Sequence, residues 1–203
     1  MKTTILLLIL MSILFILTVC VQETKNIDMT NDDAKAVLAL DYRDFDRAAT
    51  EMVRSMIGSG QLKKNDGSRY VMAKSRVIND TMQRIDTDQL MAKIEEELLN
   101  SGQVVMTSAV GDADSVDQLV HDNRNLRDNE EFDQGSVPAK GTLLAPDLSV
   151  SGKIFQTNIN YDKKTQQVEY YFQLKVTDMK SGLRFWQKET VIGKRGSKKS
   201  VAW

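Results

Sequence analysis

The chain has 203 residues with 27 basic and 28 acidic side chains, a net charge of −1, one histidine and one cysteine. A chain of this length makes one domain, or one domain with an appendage, and its near-zero charge removes the electrostatic case for nucleic acid, which needs an excess of Lys and Arg. One cysteine cannot close an intramolecular disulfide, and one histidine leaves little material for a His-rich metal site or a histidine-dependent catalytic set.

Residues 1–20 read MKTTILLLILMSILFILTVC: Lys2, an apolar run from Ile5 to Leu17, then Cys20 and a polar sequence. That is the three-part order of a secretory signal. Leu17-Thr18-Val19-Cys20 resembles the lipobox of bacterial lipoproteins, in which the peptide is cut before the cysteine and the cysteine carries acyl chains. Val19 departs from the small residue usual there. Residues 1–19 are therefore expected to be a signal peptide and Cys20 the lipid-attachment residue, with an uncleaved membrane anchor as the alternative. Residues 20–35 are polar and without period. They read as a short linker to a single domain over residues 36–203.

In that domain the first periodic stretch places Phe45, Ala48, Ala49, Met52, Val53, Met56 and Ile57 on one helical face. Asp41 and Asp44 supply its N-terminal cap, and Gly58-Ser59-Gly60 its stop. After a turn at Asn65-Asp66-Gly67, the segment RYVMAKSRVIN reads as a strand with Val71, Ala73 and Val77 alternating. A second helix follows, with Leu90, Met91, Ile94, Leu98 and Leu99 on one side, Asp86 and Gln89 spaced as a capping box, and Gly102 at its end. Val104-Val105-Met106 then completes a strand–helix–strand unit. Residues 111–134 carry eight acidic and two basic side chains, with Val116, Leu119, Val120 and Leu126 as a thin stripe that predicts a peripheral helix.

The last third reads as β. Leu148, Val150 and Ile154 share a face, and a turn spans Asn160 to Lys164. Val168, Tyr170, Phe172, Leu174 and Val176 then alternate with Glu169, Tyr171, Gln173, Lys175 and Thr177, which predicts a half-buried antiparallel strand. A turn at Lys180-Ser181-Gly182 leads into LRFWQKETVI, where adjacent Phe185 and Trp186 point to a bulge. The predicted fold class is α/β, of mixed α+β character: a four- to five-stranded mixed sheet with two to three packed helices.

Catalytic motifs are missing from the sequence. There is no GxSxG, phosphate loop, HExxH or Ser-x-x-Lys. The only cysteine sits in the lipobox, and His121 reads as a surface residue of a polar helix. The acidic Gly111-Asp112-Ala113-Asp114 segment lacks the order of a calcium loop and reads as a solvated helix N-terminus. No catalytic residue, metal site or cofactor is expected. Charge is more informative, since residues 180–203 hold seven basic side chains against Glu189 alone. Lys194, Arg195, Lys198 and Lys199 are the candidate partner-binding residues, facing an acidic protein, anionic lipid headgroups or the cell-wall polymer, unless the tail serves solubility alone.

The order of elements, the lipobox, the strand-to-helix stretch over residues 70–107, the LLAPDLSVSGKI approach to the meander and the Ser181-Gly182-Leu183 turn before Trp186 resemble the LpoB-type lipoproteins, activators of bifunctional penicillin-binding proteins. The resemblance covers residues 40–195. It implies a domain similar to the N-terminal domain of TolB, anchored in the outer membrane, facing the periplasm and stimulating peptidoglycan synthesis without catalysis. Val21 after the lipidated position is compatible with outer-membrane transfer. Family members use a long proline-rich linker, whereas this one is short and proline-free. The competing expectation is a structural envelope lipoprotein, self-associating in a ring or a flagellum-associated scaffold; a hydrolase is the third. Cellular crosslinking separates the first two, a penicillin-binding protein adduct against self-ladders.

Overall fold

The computed structural model describes residues 37–112 and 115–200. The signal peptide, the linker with Cys20, Ala113, Asp114 and Trp203 lie outside the described residues. Among the described residues the core side chains form one cluster within the compact unit Asp32–Trp203, which therefore carries its own core.

Helix α1 spans Tyr42–Gly58 and starts on a complete capping box. Asp41 accepts the N–H groups of Arg43 (3.0 Å) and Asp44 (3.3 Å), and the Asp44 carboxylate accepts the Asp41 N–H (2.9 Å). These bonds satisfy amides that a helix start leaves without partners. Its apolar face, from Phe45 to Met56, is buried as the spacing predicts. Ser59 caps the other end, and Gly60 turns the chain at φ 73°, where a side chain would be strained.

Strand β1 (Tyr70–Asp80), helix α2 (Thr87–Asn100) and strand β2 (Val104–Met106) form a parallel strand–helix–strand unit. Asp86 caps α2 by accepting the N–H groups of Asp88 and Gln89; the reciprocal bond of a box, from the Asp86 N–H to the Gln89 side-chain oxygen, is not formed. The short helix α3 (Gln118–Asn125) buries no residue, consistent with a peripheral element. Strands β3 (Leu148–Asn160), β4 (Thr165–Asp178) and β5 (Arg184–Ser197) make an antiparallel meander. The result is one five-stranded mixed sheet, ordered β2-β1-β3-β4-β5, with β1 parallel to both β2 and β3.

Helices α1 and α2 pack on each other and share one core with the sheet. Phe45 meets Phe172 edge-on, with ring centroids 6.1 Å apart, and Tyr170 is fully buried with its hydroxyl donating to Leu38 O (3.1 Å). Burial pushes the Tyr170 phenol up to about 12. Strand β1 departs from simple alternation. The sequence pattern grouped Val71 and Ala73 with Val77, but a register shift between Lys74 and Val77 changes the strand's parity, and Met72 and Val77 are the residues that join the core. Lys74, on the Met72 side, reaches Asp88 of α2 at 2.9 Å. The bulge anticipated at Phe185 and Trp186 is present as a register shift opposite Val176 and Thr177.

Candidate docking surface

Both long helices cover the same side of the sheet, and among the described residues no helix covers the opposite side of β3, β4 and β5. Strand register fixes which side chains share it. Asp80, Phe155, Tyr171 and Val191 stand side by side on four adjacent strands. One row over stand Ile78, Lys153, Gln173 and Glu189; in the other direction come Thr157, Glu169 and Gly193. Phe155 and Tyr171 stack face to face at the centre, 4.7 Å apart with rings 3° from parallel. Val191 and Ile78 stay about half exposed, at 48% and 51%.

Polar neighbours hold this aromatic pair in place. The Tyr171 hydroxyl donates to Glu169 (2.7 Å), whose other oxygen accepts from Gln167 (2.6 Å). The shared hydrogen bond raises the Tyr171 phenol and, with Gln167, lowers the Glu169 carboxyl. Gln173 donates to Glu189 (2.7 Å), and Lys153 pairs with Asp80 (2.6 Å). Charges of both signs alternate around the pair. A half-exposed aromatic centre with a fixed polar rim is the anatomy of a protein-docking face.

The four basic residues expected to meet a partner separate into two groups. Lys194 turns inward: its side chain is 11% exposed, it forms ion pairs with Asp44 and Asp41, and it donates to Ala39 O (2.7 Å). Its ammonium neutralises a buried carboxylate and ties β5 to the start of α1. Arg195, Lys198 and Lys199 are exposed. Arg195 lies 3.9 Å over the Tyr161 ring and bonds Gln167. Lys163 and Lys164 of the β3–β4 turn join them, because the Lys198 N–H donates to Lys164 O (2.9 Å). Sequence reading missed those two lysines. Only the hairpin register reveals that the turn and the end of β5 meet.

His121 is half-buried rather than a bare surface residue, its Nε2 2.8 Å from Ala109 O, which ties α3 to the segment after β2. The Asp112 N–H extends β1 by donating to Lys74 O (3.0 Å), its own carbonyl accepts the Ser115 N–H (2.9 Å), and Asp117 caps α3. Among the described residues no group of three or more His, Cys, Asp or Glu is placed to hold a metal ion. A shallow cleft of about 570 Å³ at the other end of the sheet is bounded by Gln61, Lys63, Lys64, Tyr70 and Phe185. Its innermost cation, Lys64, is already paired with Asp147 (2.8 Å).

A family model described as "Peptidoglycan-synthase activator LpoB" matches residues 44–192. No curated protein matches. Among solved structures the chain is similar to the LpoB C-terminal domain from Escherichia coli, at 13% identity and TM-score 0.43, over 73% of this chain and 98% of that one. The LpoB C-terminal domain from Salmonella enterica gives the same values. Lipoprotein GNA1162 from Neisseria meningitidis is more distant, at 11% identity and TM-score 0.34, over 62% of this chain and 81% of that one.

Proposed function

The chain belongs to the LpoB family of peptidoglycan-synthase activators, and we propose that it is an outer-membrane lipoprotein, attached through Cys20, that binds a bifunctional penicillin-binding protein in the periplasm and stimulates it without catalysing a reaction itself. Residues 1–19 would be the signal peptide, 20–35 the tether and 36–203 the working domain.

The observation that carries the docking part of this reading is the Phe155–Tyr171 stack in the open sheet face. The pair is rigid, apolar over its rings and polar at one hydroxyl, so little conformational entropy is lost when a partner covers it. Charge on the face is mixed, which makes shape and hydrogen bonding, rather than net attraction, the source of selectivity.

Two measurements test it. Fatty-acid labelling of the full chain should disappear in Cys20→Ala; retained labelling rejects the anchor. Purified synthase should show faster glycan polymerisation with the wild-type domain and lose that stimulation with Tyr171→Ala combined with Val191→Ala. Truncating a central aromatic contact costs about 2 kcal/mol or more, a loss of roughly thirtyfold in affinity. Full stimulation by the folded double variant would move the docking site elsewhere.

A further inference from the structure

The exposed basic cluster lies where the described chain begins. Leu38 sits beneath Gly196, so closely that a Cβ on that glycine would run into Leu38 Cδ1. The bonds from Tyr170 and Lys194 to the carbonyls of Leu38 and Ala39 fix the same segment against β4 and β5. Val37 therefore leaves the fold beside the C-terminal end of β5. Around that end stand Lys163, Lys164, Arg195, Lys198 and Lys199, all exposed. Among the described residues the one acid in this group, Asp162, is turned into the hairpin, accepting the N–H groups of Lys164 and Thr165 at 2.7 Å each. Those bonds hold its carboxyl below the usual range, so it stays an anion that offsets one of the five cations. Exposed Tyr161 and Ile159 lie among them.

We propose that this basic end is a contact surface for the anionic phospholipid headgroups of the membrane that carries the tether. The proposal rests on the lipid-anchor reading of Cys20 for its biological setting. Sixteen residues separate Cys20 from Val37. A segment of that length reaches at most about 55 to 60 Å when fully extended. Screening confines attraction to about 8 Å from the surface, so a charge cluster at the tether's exit meets the headgroups far more often than one elsewhere on the domain. Each basic residue near an anionic leaflet adds roughly fivefold to partitioning. That is weak for a free domain and sufficient as a second signal beside an acyl chain, where tethering raises the local concentration to the millimolar range. Tyrosine and arginine side chains suit the same boundary, since each has an apolar body and a polar tip.

The test uses the compact unit of residues 32–203, which lacks Cys20, with vesicles of phosphatidylcholine alone or mixed with phosphatidylglycerol. Expected is co-sedimentation with the mixed vesicles only, abolished by high salt. Combining Lys163→Gln, Lys164→Gln, Lys198→Gln and Lys199→Gln should lower it at least tenfold while circular dichroism and stimulation of the synthase persist. Equal binding to both vesicles, no binding to either, or wild-type binding by the quadruple variant overturns the proposal. So does retention on purified peptidoglycan without retention on vesicles, which assigns the cluster to the cell wall. Because the fragment is unlipidated, failure here leaves the Cys20 labelling result standing, and loss of labelling does not alter the vesicle result.

Discussion

Strand β4 has two sides that answer to different demands. Val168, Tyr170, Phe172, Leu174 and Val176 point under the helices and are each at most 1% exposed. Glu169, Tyr171, Gln173, Lys175 and Thr177 point the other way and are half-buried beside their neighbours on adjacent strands. On the first side every residue answers to volume and dryness. On the second, an aromatic pair stands where solubility alone favours charge, and it is held by hydrogen bonds that add little to folding. Preorganisation of this kind is what a docking site needs, and the two sides of β4 therefore put the proposed role to the test.

The widest separation of the two sides comes from truncating successive residues of that strand. Phe172→Ala should cost about 3 to 5 kcal/mol, since it opens a cavity beneath Phe45 in a core with little freedom to collapse; denaturant titration measures it, and a loss below about 1 kcal/mol would mean that the helices do not seal that side. Next in size is Lys194→Met, which leaves the buried Asp44 carboxylate with only the exposed Arg47 guanidinium, 3.5 Å away, and should cost about 2 kcal/mol. The same substitution should leave synthase stimulation per folded molecule unchanged, because Lys194 faces α1 and not the open side.

The elements were legible in the sequence because each is amphipathic in its own period. The α1 stripe, the β4 alternation and the Gly102 and Gly60 stops each identify themselves locally. What was not legible came from pairing across the chain. The β1 register shift re-aims Met72 through contacts with β3, and nothing in VMAKSRV announces it. Lys194 looked like Lys198 and Lys199 within one basic run, yet it occupies an inward position of β5 opposite Val168 and meets carboxylates about 150 residues earlier. Likewise Tyr171 read as one member of the polar side of β4, and its stacking became visible only when β3 placed Phe155 beside it.

Smaller effects refine the contrast. Thr190 faces the core opposite Phe172, 7% exposed, and its hydroxyl has no hydrogen-bond partner. Thr190→Val should therefore stabilise the domain by about 1 kcal/mol, read as a higher denaturation midpoint. Asp41 tests the electrostatics of the same side. Burial pushes its carboxyl up, but the Arg43 hydrogen bond and the Lys194 charge outweigh that and hold it below the usual range. A carboxyl that is lower folded than unfolded contributes stability that is complete above its unfolded value, about 3.9, and lost as pH falls through the folded one. Asp41→Asn, which keeps a capping side chain, should lower stability by no more than about 1 kcal/mol at neutral pH and flatten the decline below about pH 4.

The smallest change in stability is expected from Tyr171→Ala. The residue loses a stacked ring and the hydrogen bond to Glu169, but water reaches both groups, so the cost should be about 1 kcal/mol or less. Phe172→Ala, one position along, should cost several times more because its ring has only protein around it. Binding should reverse that order: Phe172→Ala, wherever it stays folded, leaves the open face chemically intact, while Tyr171→Ala removes its centre. Measuring unfolding and synthase affinity on the two variants together therefore separates folding from recognition within one strand. Equal losses of affinity after correction for the folded fraction would mean that the open side acts through the domain's rigidity and not through contact.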